Sequence, residues 1–282
     1  GQQGKGLPAR VIPLEMHDVA VTGLDVLLAT VAFGASQCVV LHPSSEAESY
    51  IEALRKQIGI GQAILSALGY GGRHFDLIEA GDHAALQEQI WNLKPADGVL
   101  ESAVFSLPDE KRRSLEFSLE HLAKHASQKP ELIPLFAGAP FGQVILDKAK
   151  CTLCLSCVGA CPTRALTDTP EMPRLKFIER NCVQCRLCVQ TCPEGALSLE
   201  ARLLLGAEAR QNKVLNEAEP FDCIRCGKPF ATKQMIESMV GRLAGHSMFA
   251  GGEAIKRLKM CADCRIIDMM EGQTCETTIH DL

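Results

Sequence analysis

Short apolar runs and longer stretches of helical periodicity alternate through the first half of the 282-residue chain. The run over 37–41 is apolar from its second residue on, as in strands buried in a parallel sheet. Leu115, Leu119, Leu122 and Ala126 recur at helical spacing and predict an amphipathic helix. The full pattern predicts strands over 11–16, 37–41 and 75–78, helices over 24–33, 46–68 (interrupted at Gly59 and Gly61), 84–91 and 108–126, and a closing apolar run over 132–136. This alternation favours an α/β domain with a mainly parallel sheet over residues 1–138.

The predicted α/β domain has no familiar nucleotide-binding signature. It contains neither G-x-G-x-x-G after its first strand nor a Walker A sequence. Gly69, Gly71 and Gly72 could form a phosphate-binding loop, but we favour a loop that ends the preceding helix. His17 and His42 each end a predicted strand, where functional residues of parallel sheets collect. Hydrogen-bonded loop histidines are the simpler interpretation of both.

A repeated cysteine pattern follows this region. The run C-x2-C-x2-C-x3-C-P occurs twice, at a constant offset of 31 residues. This spacing is typical of proteins with two [4Fe–4S] clusters, in which three cysteines of a run bind one cluster and the fourth binds the other. The predicted ligands of cluster 1 are Cys151, Cys154, Cys157 and Cys192, and those of cluster 2 are Cys182, Cys185, Cys188 and Cys161.

The repeat extends beyond the cysteines. Short apolar runs over 144–146 and 175–178 predict a strand before each ligand loop, so an α+β dicluster ferredoxin module is expected over 139–200. A proline after each fourth cysteine suits the first position of a short helix. Gly195, which tolerates unusual backbone angles, corresponds to Arg164. Arg164 is therefore expected to adopt an ordinary conformation and to present a charge near a cluster.

The segment after the ferredoxin module is predicted to be a helical linker. Residues 201–219 are rich in Ala, Leu, Glu and Arg and contain no proline, and Pro220 suits a stop just beyond them.

A third group of cysteines lies in a module predicted over 220–282. Two C-x2-C pairs are typical of a zinc-knuckle-like site with four thiolate ligands, and Gly227 suits the turn after the first pair. The gap between the pairs can hold a helix over 232–243 and a glycine-containing loop over 245–252. The predicted ligands are Cys223, Cys226, Cys261 and Cys264.

Alternatives to Zn²⁺ at this third site remain open. A single iron, a [2Fe–2S] cluster or a further [4Fe–4S] cluster can also use four cysteines. His246 and Cys275 are spare potential ligands, and we interpret both as bystanders. Cys38 lies in an apolar strand and is interpreted as a core residue.

Composition narrows the classes of partner and compartment. The net charge of −5 and the single tryptophan, Trp91, give no support for nucleic-acid binding. The longest mainly apolar stretch, 24–33, is too short to cross a bilayer, so no membrane insertion is expected. Twelve of the fourteen cysteines have metal-binding spacing and no signal peptide is recognisable, which favours the cytoplasm. Because the chain starts at Gly1, an upstream region is an open alternative.

Two stretches resemble known families. The sequences AGAPFGQVILDKAKCTLCLSCVGACPTRAL, CVQCRLCVQTCPEGALSL, LNEAEPFDCIRCGKPFATK and MCADCR, within 137–268, resemble a proteobacterial family of cytoplasmic 4Fe–4S proteins commonly encoded beside formate dehydrogenase components. TGLDVLLATVAFGASQCVVL resembles the small α/β domain of the hydrogenase delta subunit associated with heterodisulfide reductase. That family binds a [2Fe–2S] cluster through its own cysteines, whereas this stretch has only Cys38. The N-terminal domain is accordingly expected to be flavodoxin-like or delta-subunit-like.

Together these observations predict an electron-transfer protein or subunit rather than an enzyme, with formate dehydrogenase as the redox partner that the resemblance implies. One alternative is an oxidoreductase subunit whose α/β domain binds a flavin or a nicotinamide cofactor. Another is an assembly or maturation factor. Four basic residues beside the ligands would raise cluster potentials or guide an acidic partner, unless they are simply solvated: Lys150, Arg164, Arg180 and Arg186.

Overall fold

The computed structural model describes residues 4–169, 172–249 and 252–271. These residues form two compact units. The first contains the described residues up to Ala139 together with Ala201–Leu205, and the second contains Pro140–Glu200 and the described residues from Gly206 onward.

The first unit combines four helices with a parallel pair of strands. Its helices are α1 (Leu24–Ala32), α2 (Glu48–Ala67), α3 (His83–Asn92) and α4 (Lys111–His125), and its strands are β1 (Cys38–His42), β2 (Phe75–Glu79) and β3 (Leu132–Pro134). β1 and β2 pair in parallel, with Cys38 opposite Phe75 and His42 opposite Glu79. Leu27, Leu28 and Leu122 are fully buried and anchor the packing of α1 against α4. Burial of these apolar side chains supplies the main stabilisation of the unit.

Two sequence predictions fail in the first unit. Residues 11–16 form no strand, because Pro13 lacks an N–H for a ladder and the side chains of Ile12 and Leu14 remain 83% and 76% exposed. Gly59 and Gly61 do not interrupt α2. A Cβ at Gly61 would come within 2.8 Å of the Phe75 ring, so this glycine permits close packing inside a continuous helix.

The second unit is built from short strands and helices around the cysteines. Its strands are β4 (Gly142–Leu146), β5 (Leu166–Thr169), β6 (Met172–Phe177), β7 (Leu197–Leu204), β8 (Lys213–Glu217), β9 (Pro220–Asp222) and β10 (Pro229–Thr232). Its helices are α5 (Ser156–Gly159), α6 (Leu187–Thr191), α7 (Lys233–Leu243), α8 (Glu253–Leu258) and α9 (Ala262–Glu271). β5, β6 and β8 form an antiparallel sheet, and β9 and β10 form an antiparallel pair. The last residues of β7, Arg202–Leu204, belong to the first unit, where they pair antiparallel with β3.

The prediction of a helical linker over 201–219 is wrong. This segment contains the end of β7, a 3-10 turn at Ala207–Arg210 and strand β8. Leu197 and Leu203 of β7 are buried and the alternate residues between them are half-buried, while Leu215 of β8 joins the core around the cysteines. Strand pairing and burial at period two therefore override the helix propensity of Ala, Leu, Glu and Arg.

Among the described residues, none of the helices has both the length and the apolar character that crossing a membrane requires.

Candidate functional site

The two cysteine runs share an unusual backbone. Leu153 and Gln184 have φ values of 54° and 56°, and Leu155 and Arg186 have φ values of 59° and 66°. Both pairs are related by the 31-residue offset of the cysteines. Side chains other than glycine rarely adopt positive φ. Each loop therefore turns sharply twice between its first and third cysteines, which lets closely spaced thiols point to one side.

A third pair of matching residues with positive φ, Arg164 and Gly195, follows the fourth cysteine of each run, and the structure there corrects two sequence predictions. Arg164 has φ 52° and Gly195 has φ 57°, so Arg164 does not adopt the ordinary conformation expected for it. The helix predicted after each fourth cysteine is also absent from the structure, and the short helices α5 and α6 lie before that cysteine. The reason is that the chain turns at Arg164 or Gly195 and enters β5 or β7, which leaves no room for a helix after the proline.

The structure brings together the four residues predicted for cluster 1. Cys151, Cys154 and Cys157 of the first run and Cys192 of the second line one cavity. The rest of its wall is mainly apolar, with Thr152, Ser156 and Glu194 as polar members. Its apolar lining residues are Leu146, Leu153, Leu155, Leu175, Ala196 and Leu197.

The four residues predicted for cluster 2 are also neighbours. The Cys188 thiol lies among those of Cys182, Cys185 and Cys161. Burial raises the pKa of Cys188 to about 11, and the nearby thiolates of Cys182 and Cys185 add to this rise. Cys161 thus groups with the second run, as Cys192 groups with the first.

The two groups are close to each other. Burial raises the pKa of Cys157 to about 12, and the charges of Cys151, Cys154 and Cys188 contribute to the increase. Cys188 belongs to the other group, and helices α5 and α6, which carry Cys157 and Cys188, contact each other, so the third cysteines of the two runs lie near one another. A buried thiol surrounded by thiols is costly to ionise. Bound iron would remove that cost, because iron–sulfur clusters are held by thiolates.

Backbone N–H groups point at the fourth sulfur of each run. The N–H of Ala165 donates to Cys161 Sγ at 3.2 Å, and that of Ala196 donates to Cys192 Sγ at 3.3 Å. Burial raises the pKa of Cys161, but hydrogen bonds from the N–H groups of Leu166 and Ala165 and from the Thr163 hydroxyl outweigh burial and lower it. These donors favour the thiolate form that a cluster needs. The residues present therefore fit iron–sulfur ligation in both groups.

The third cysteine group has a tighter geometry. Cys223 and Cys226 lie in the β9–β10 connection, Cys261 precedes α9, and Cys264 lies in the first turn of α9. All four Sγ atoms lie within 4.8 Å of one another, and Cys226 and Cys261 Sγ are 3.8 Å apart. Gly227 has φ 70°, which confirms the turn that the sequence predicted after the first pair. The helix predicted over 232–243 is confirmed as α7.

Hydrogen bonding and burial give the thiols of this third group different pKa values. Burial raises the pKa of Cys223, but N–H groups of Cys261, Cys226 and Arg225 outweigh burial and lower the pKa to about 6. The Cys261 N–H donates to Cys223 Sγ at 3.3 Å. Burial and the neighbouring thiols raise the pKa of Cys264 to about 12. The first sulfur is thus prepared as a thiolate, whereas the last needs a cation beside it.

The sulfur spacing of the third group fits one metal ion. Thiolates about 2.3 Å from a single tetrahedral ion lie about 3.8 Å from one another. A cluster distributes its thiolates over different iron atoms and holds them further apart. Among the described residues, this is the one group of three or more potential ligands held within such a distance.

The remaining candidates lie outside these groups. Cys38 is half-buried, and burial raises its pKa. The His246 ring contacts Phe249 and is not a member of the close cysteine group. Lys150 pairs with Asp147 at 3.3 Å. Cys275 lies outside the described residues.

Sequence reasoning missed several polar residues around the two cysteine loops. Gln184, Thr232 and Arg242 all contact the cysteine loops or the cavity wall. Aligning the two runs residue by residue would have singled out Gln184, since it replaces Leu153 of the first run. No sequence signal indicates the contacts of Thr232 and Arg242, because they join segments far apart in the chain.

Comparison with known proteins agrees with this geometry for one part of the chain. No curated protein has significant similarity to the sequence. Residues 150–196 match the sequence model of a protein family described as the 4Fe-4S dicluster domain. The chain therefore contains a ferredoxin-type 4Fe-4S domain, and the four-cysteine group at Cys223 lies beyond it.

Proposed function

We propose that this protein transfers electrons through two [4Fe–4S] clusters with crossed ligation. Cys151, Cys154, Cys157 and Cys192 would bind cluster 1, and Cys182, Cys185, Cys188 and Cys161 would bind cluster 2. The observation that carries the proposal is the cavity lined by three cysteines of the first run and the fourth cysteine of the second. This is the ligand exchange between runs that two-cluster ferredoxins use.

The chain's residues would hold and tune the clusters. When bound, each cluster supplies one-electron redox chemistry, and no protein side chain has to act as an acid, a base or a nucleophile. The N–H groups of Ala165 and Ala196 donate to the sulfurs of Cys161 and Cys192 and stabilise charge there, and the leucine-rich cavity limits access of water to cluster 1. Hydrogen bonds to sulfur, burial and nearby charge are the means by which proteins set cluster potentials. The proximity of Cys157 and Cys188 supports electron exchange between the clusters.

For the third group we propose a structural Zn²⁺ ion. The support is the close spacing of the four sulfurs, together with their position on a hairpin connection and the first turn of a helix. A single iron satisfies the same spacing, so metal analysis has to separate the two ions.

The partner proposed is a redox enzyme of the cytoplasm, specifically formate dehydrogenase. This part of the proposal depends on the sequence resemblance of 137–268. Arg186 is exposed beside the cluster 2 ligand Cys185, which is itself exposed, and this suits an acidic docking surface on the partner.

Metal and sulfide analysis of anaerobically purified protein tests the cofactors. We expect about eight iron atoms and about eight acid-labile sulfides per chain, and about one zinc. Reduction by dithionite should produce the EPR signals of two interacting [4Fe–4S]⁺ centres. Iron near four per chain would contradict the two-cluster proposal, and iron clearly above eight without zinc would contradict the structural zinc site.

Stopped-flow mixing tests the partner. The oxidised protein should be reduced by formate dehydrogenase and formate, with a rate that falls at high salt because the docking is electrostatic. A protein that dithionite reduces but formate dehydrogenase does not would refute this partner while leaving the electron-transfer function in place.

A further inference from the structure

Two polar contacts connect helix α7 to the wall of the cluster 1 cavity. The Thr232 hydroxyl donates to the Thr152 carbonyl at 3.0 Å, and Arg242 pairs with Glu194 at 2.5 Å. Thr152 and Glu194 both line the cavity. Thr232 and Arg242 are ten positions apart, which is about 15 Å along a helix axis. Contacts at both ends of α7 therefore reach the same cavity.

The contact at Thr232 is buried and fixed. Thr232 is 2% exposed, and its hydroxyl oxygen also accepts from the Met235 N–H at 3.0 Å, which caps the start of α7. The same hydroxyl thus starts the helix and satisfies a carbonyl of the cluster 1 loop. Valine at this position would remove the cap and leave the Thr152 carbonyl without this donor, a change that is costly in a buried place.

Helix α7 lies between the two halves of the four-cysteine site in the chain. The two cysteine pairs, Cys223 with Cys226 and Cys261 with Cys264, enclose α7 between them in the chain. The buried core beside this site consists of Cys223, Met260 and Cys264, with Phe230 and Cys261 packed against it. Since most of that small core is the ligand set itself, a bound ion would supply the stability that the apolar residues do not.

The second cysteine loop is less enclosed than the first. Thr152 and Leu153 are buried, whereas their counterparts Val183 and Gln184 are half-buried. The counterpart of Glu194 is Thr163, which is not charged. The contacts of α7 thus involve the side of the domain where the loop is more buried.

We infer that the metal ion at the four-cysteine site controls the environment of cluster 1 by holding α7 against its cavity. This inference rests on the proposed function. Thr232 is a positioning residue in it, acting on cluster 1 through Thr152. Loss of the ion or of the Thr232 contact admits water to cluster 1, and water stabilises the more highly charged reduced state. The potential of cluster 1 then rises, while that of cluster 2 is unchanged.

An EPR-monitored redox titration of the whole chain tests this inference. The variants are Cys261→Ser, which disables the metal site, and Thr232→Val, which keeps all four ligands. Thr232→Ser retains the hydroxyl, and Gln234→Ala is a control at an exposed position of α7. The couple that survives in Cys188→Ala identifies cluster 1.

We expect Cys261→Ser to shift the reduction equilibrium of cluster 1 about tenfold toward the reduced form, which is about 59 mV for one electron. Thr232→Val should shift it about threefold, and bleaching of cluster 1 in air should accelerate in both variants. Thr232→Ser and Gln234→Ala should match the wild type.

Two results in Cys261→Ser and Thr232→Val would overturn the inference. One is a shift of both redox couples together, and the other is no shift of either couple. Failure of the proposed function is separate, because it would show in the wild type as the absence of two couples and of about eight iron atoms.

Discussion

Leu153 and Gln184 occupy the same place in the two cysteine runs and have nearly the same φ, yet their surroundings differ. Leu153 is 4% exposed and lines the cluster 1 cavity. Gln184 is half-buried, and its amide donates to Cys182 Sγ at 3.4 Å and to the Gln143 carbonyl at 3.4 Å. The backbone that shapes the ligands is therefore repeated, but the chemistry around the sulfurs is not.

The same contrast holds at the next loop position. Leu155 is half-buried in the cavity wall, whereas its counterpart Arg186 is exposed and cationic. A sulfur hydrogen bond, greater exposure and a positive charge all favour the reduced state of a cluster. We therefore expect cluster 2 to have the higher reduction potential and to accept the first electron.

The largest effects are expected from ligand replacement, which tests whether the runs really exchange ligands. Cys157→Ala and Cys192→Ala should each abolish the cluster 1 signal, because both thiols line the same cavity. Cys188→Ala and Cys161→Ala should each abolish the cluster 2 signal, because these thiols are neighbours. Iron analysis and EPR should show about four iron atoms remaining in each variant.

The matched control for these variants is Cys38→Ala, which lies in the other unit and should retain all the iron. If Cys192→Ala removed the same signal as Cys188→Ala, each run would bind its own cluster and the crossed assignment would be refuted.

A smaller effect is expected when the two loops exchange the residues that distinguish them. Gln184→Leu removes the amide donor from Cys182 and should lower the potential of cluster 2, whereas Leu153→Gln should raise that of cluster 1. Each change should be of the order of a tenfold shift in the equilibrium, about 59 mV. Redox titration of the double variant should bring the two potentials closer together.

One outcome of the Gln184→Leu titration would contradict this prediction. If Gln184→Leu left both potentials unchanged, the Gln184–Cys182 contact would have no electrostatic role, and the ordering of the two clusters would need another cause.

The smallest effects are changes in stability expected from substitutions at Gly195 and Arg164, the matching residues with positive φ after the fourth cysteines. Gly195→Ala should destabilise the protein by about 1 kcal/mol, because left-handed backbone is less favourable for alanine than for glycine. No atom lies within 4 Å of the added Cβ, so the cost is conformational rather than steric. Arg164→Gly should stabilise by less, because glycine loses more freedom on folding. Anaerobic thermal melting of the holoprotein measures both changes.

Equal melting temperatures for Gly195→Ala and the wild type would show that the turn relaxes, and that the repeat does not require left-handed backbone at this position.

At the four-cysteine site, the spacing of cysteines in the sequence says less than the distances between their sulfurs in the structure. C-x2-C occurs in all three cysteine groups, so the sequence alone left a zinc ion, a single iron and a further cluster as alternatives at Cys223, Cys226, Cys261 and Cys264. The four Sγ atoms lie within 4.8 Å of one another, a spacing that suits the single ion we propose better than a cluster, whose thiolates bind separate iron atoms. Tertiary structure set this distance by bringing a hairpin connection to the first turn of α9.

Errors of sequence reasoning have a common origin in this chain. Residues 201–219 have the composition of a helix but pair as strands, and Arg164 adopts a conformation that its side chain disfavours. In both cases the surrounding fold outweighs a local preference. Helix propensity is worth about 1 kcal/mol or less per residue, and left-handed backbone costs somewhat more. The helices α1, α2 and α4 were predictable because their apolar patterns and their burial agree.

The sequence by itself predicted which thiols lie together in the dicluster domain, because the repeated spacing of eight cysteines is that of two-cluster ferredoxins. It also determined the strand–helix order of most of the N-terminal unit, since burial there follows local periodicity. Only the tertiary structure decided the spacing of the third cysteine group, the strand pairing of 201–219 and the contacts of Thr232 and Arg242 with the cluster 1 cavity. These features depend on contacts between segments up to 80 residues apart, and no local sequence pattern indicates which distant polar groups will form hydrogen bonds with each other.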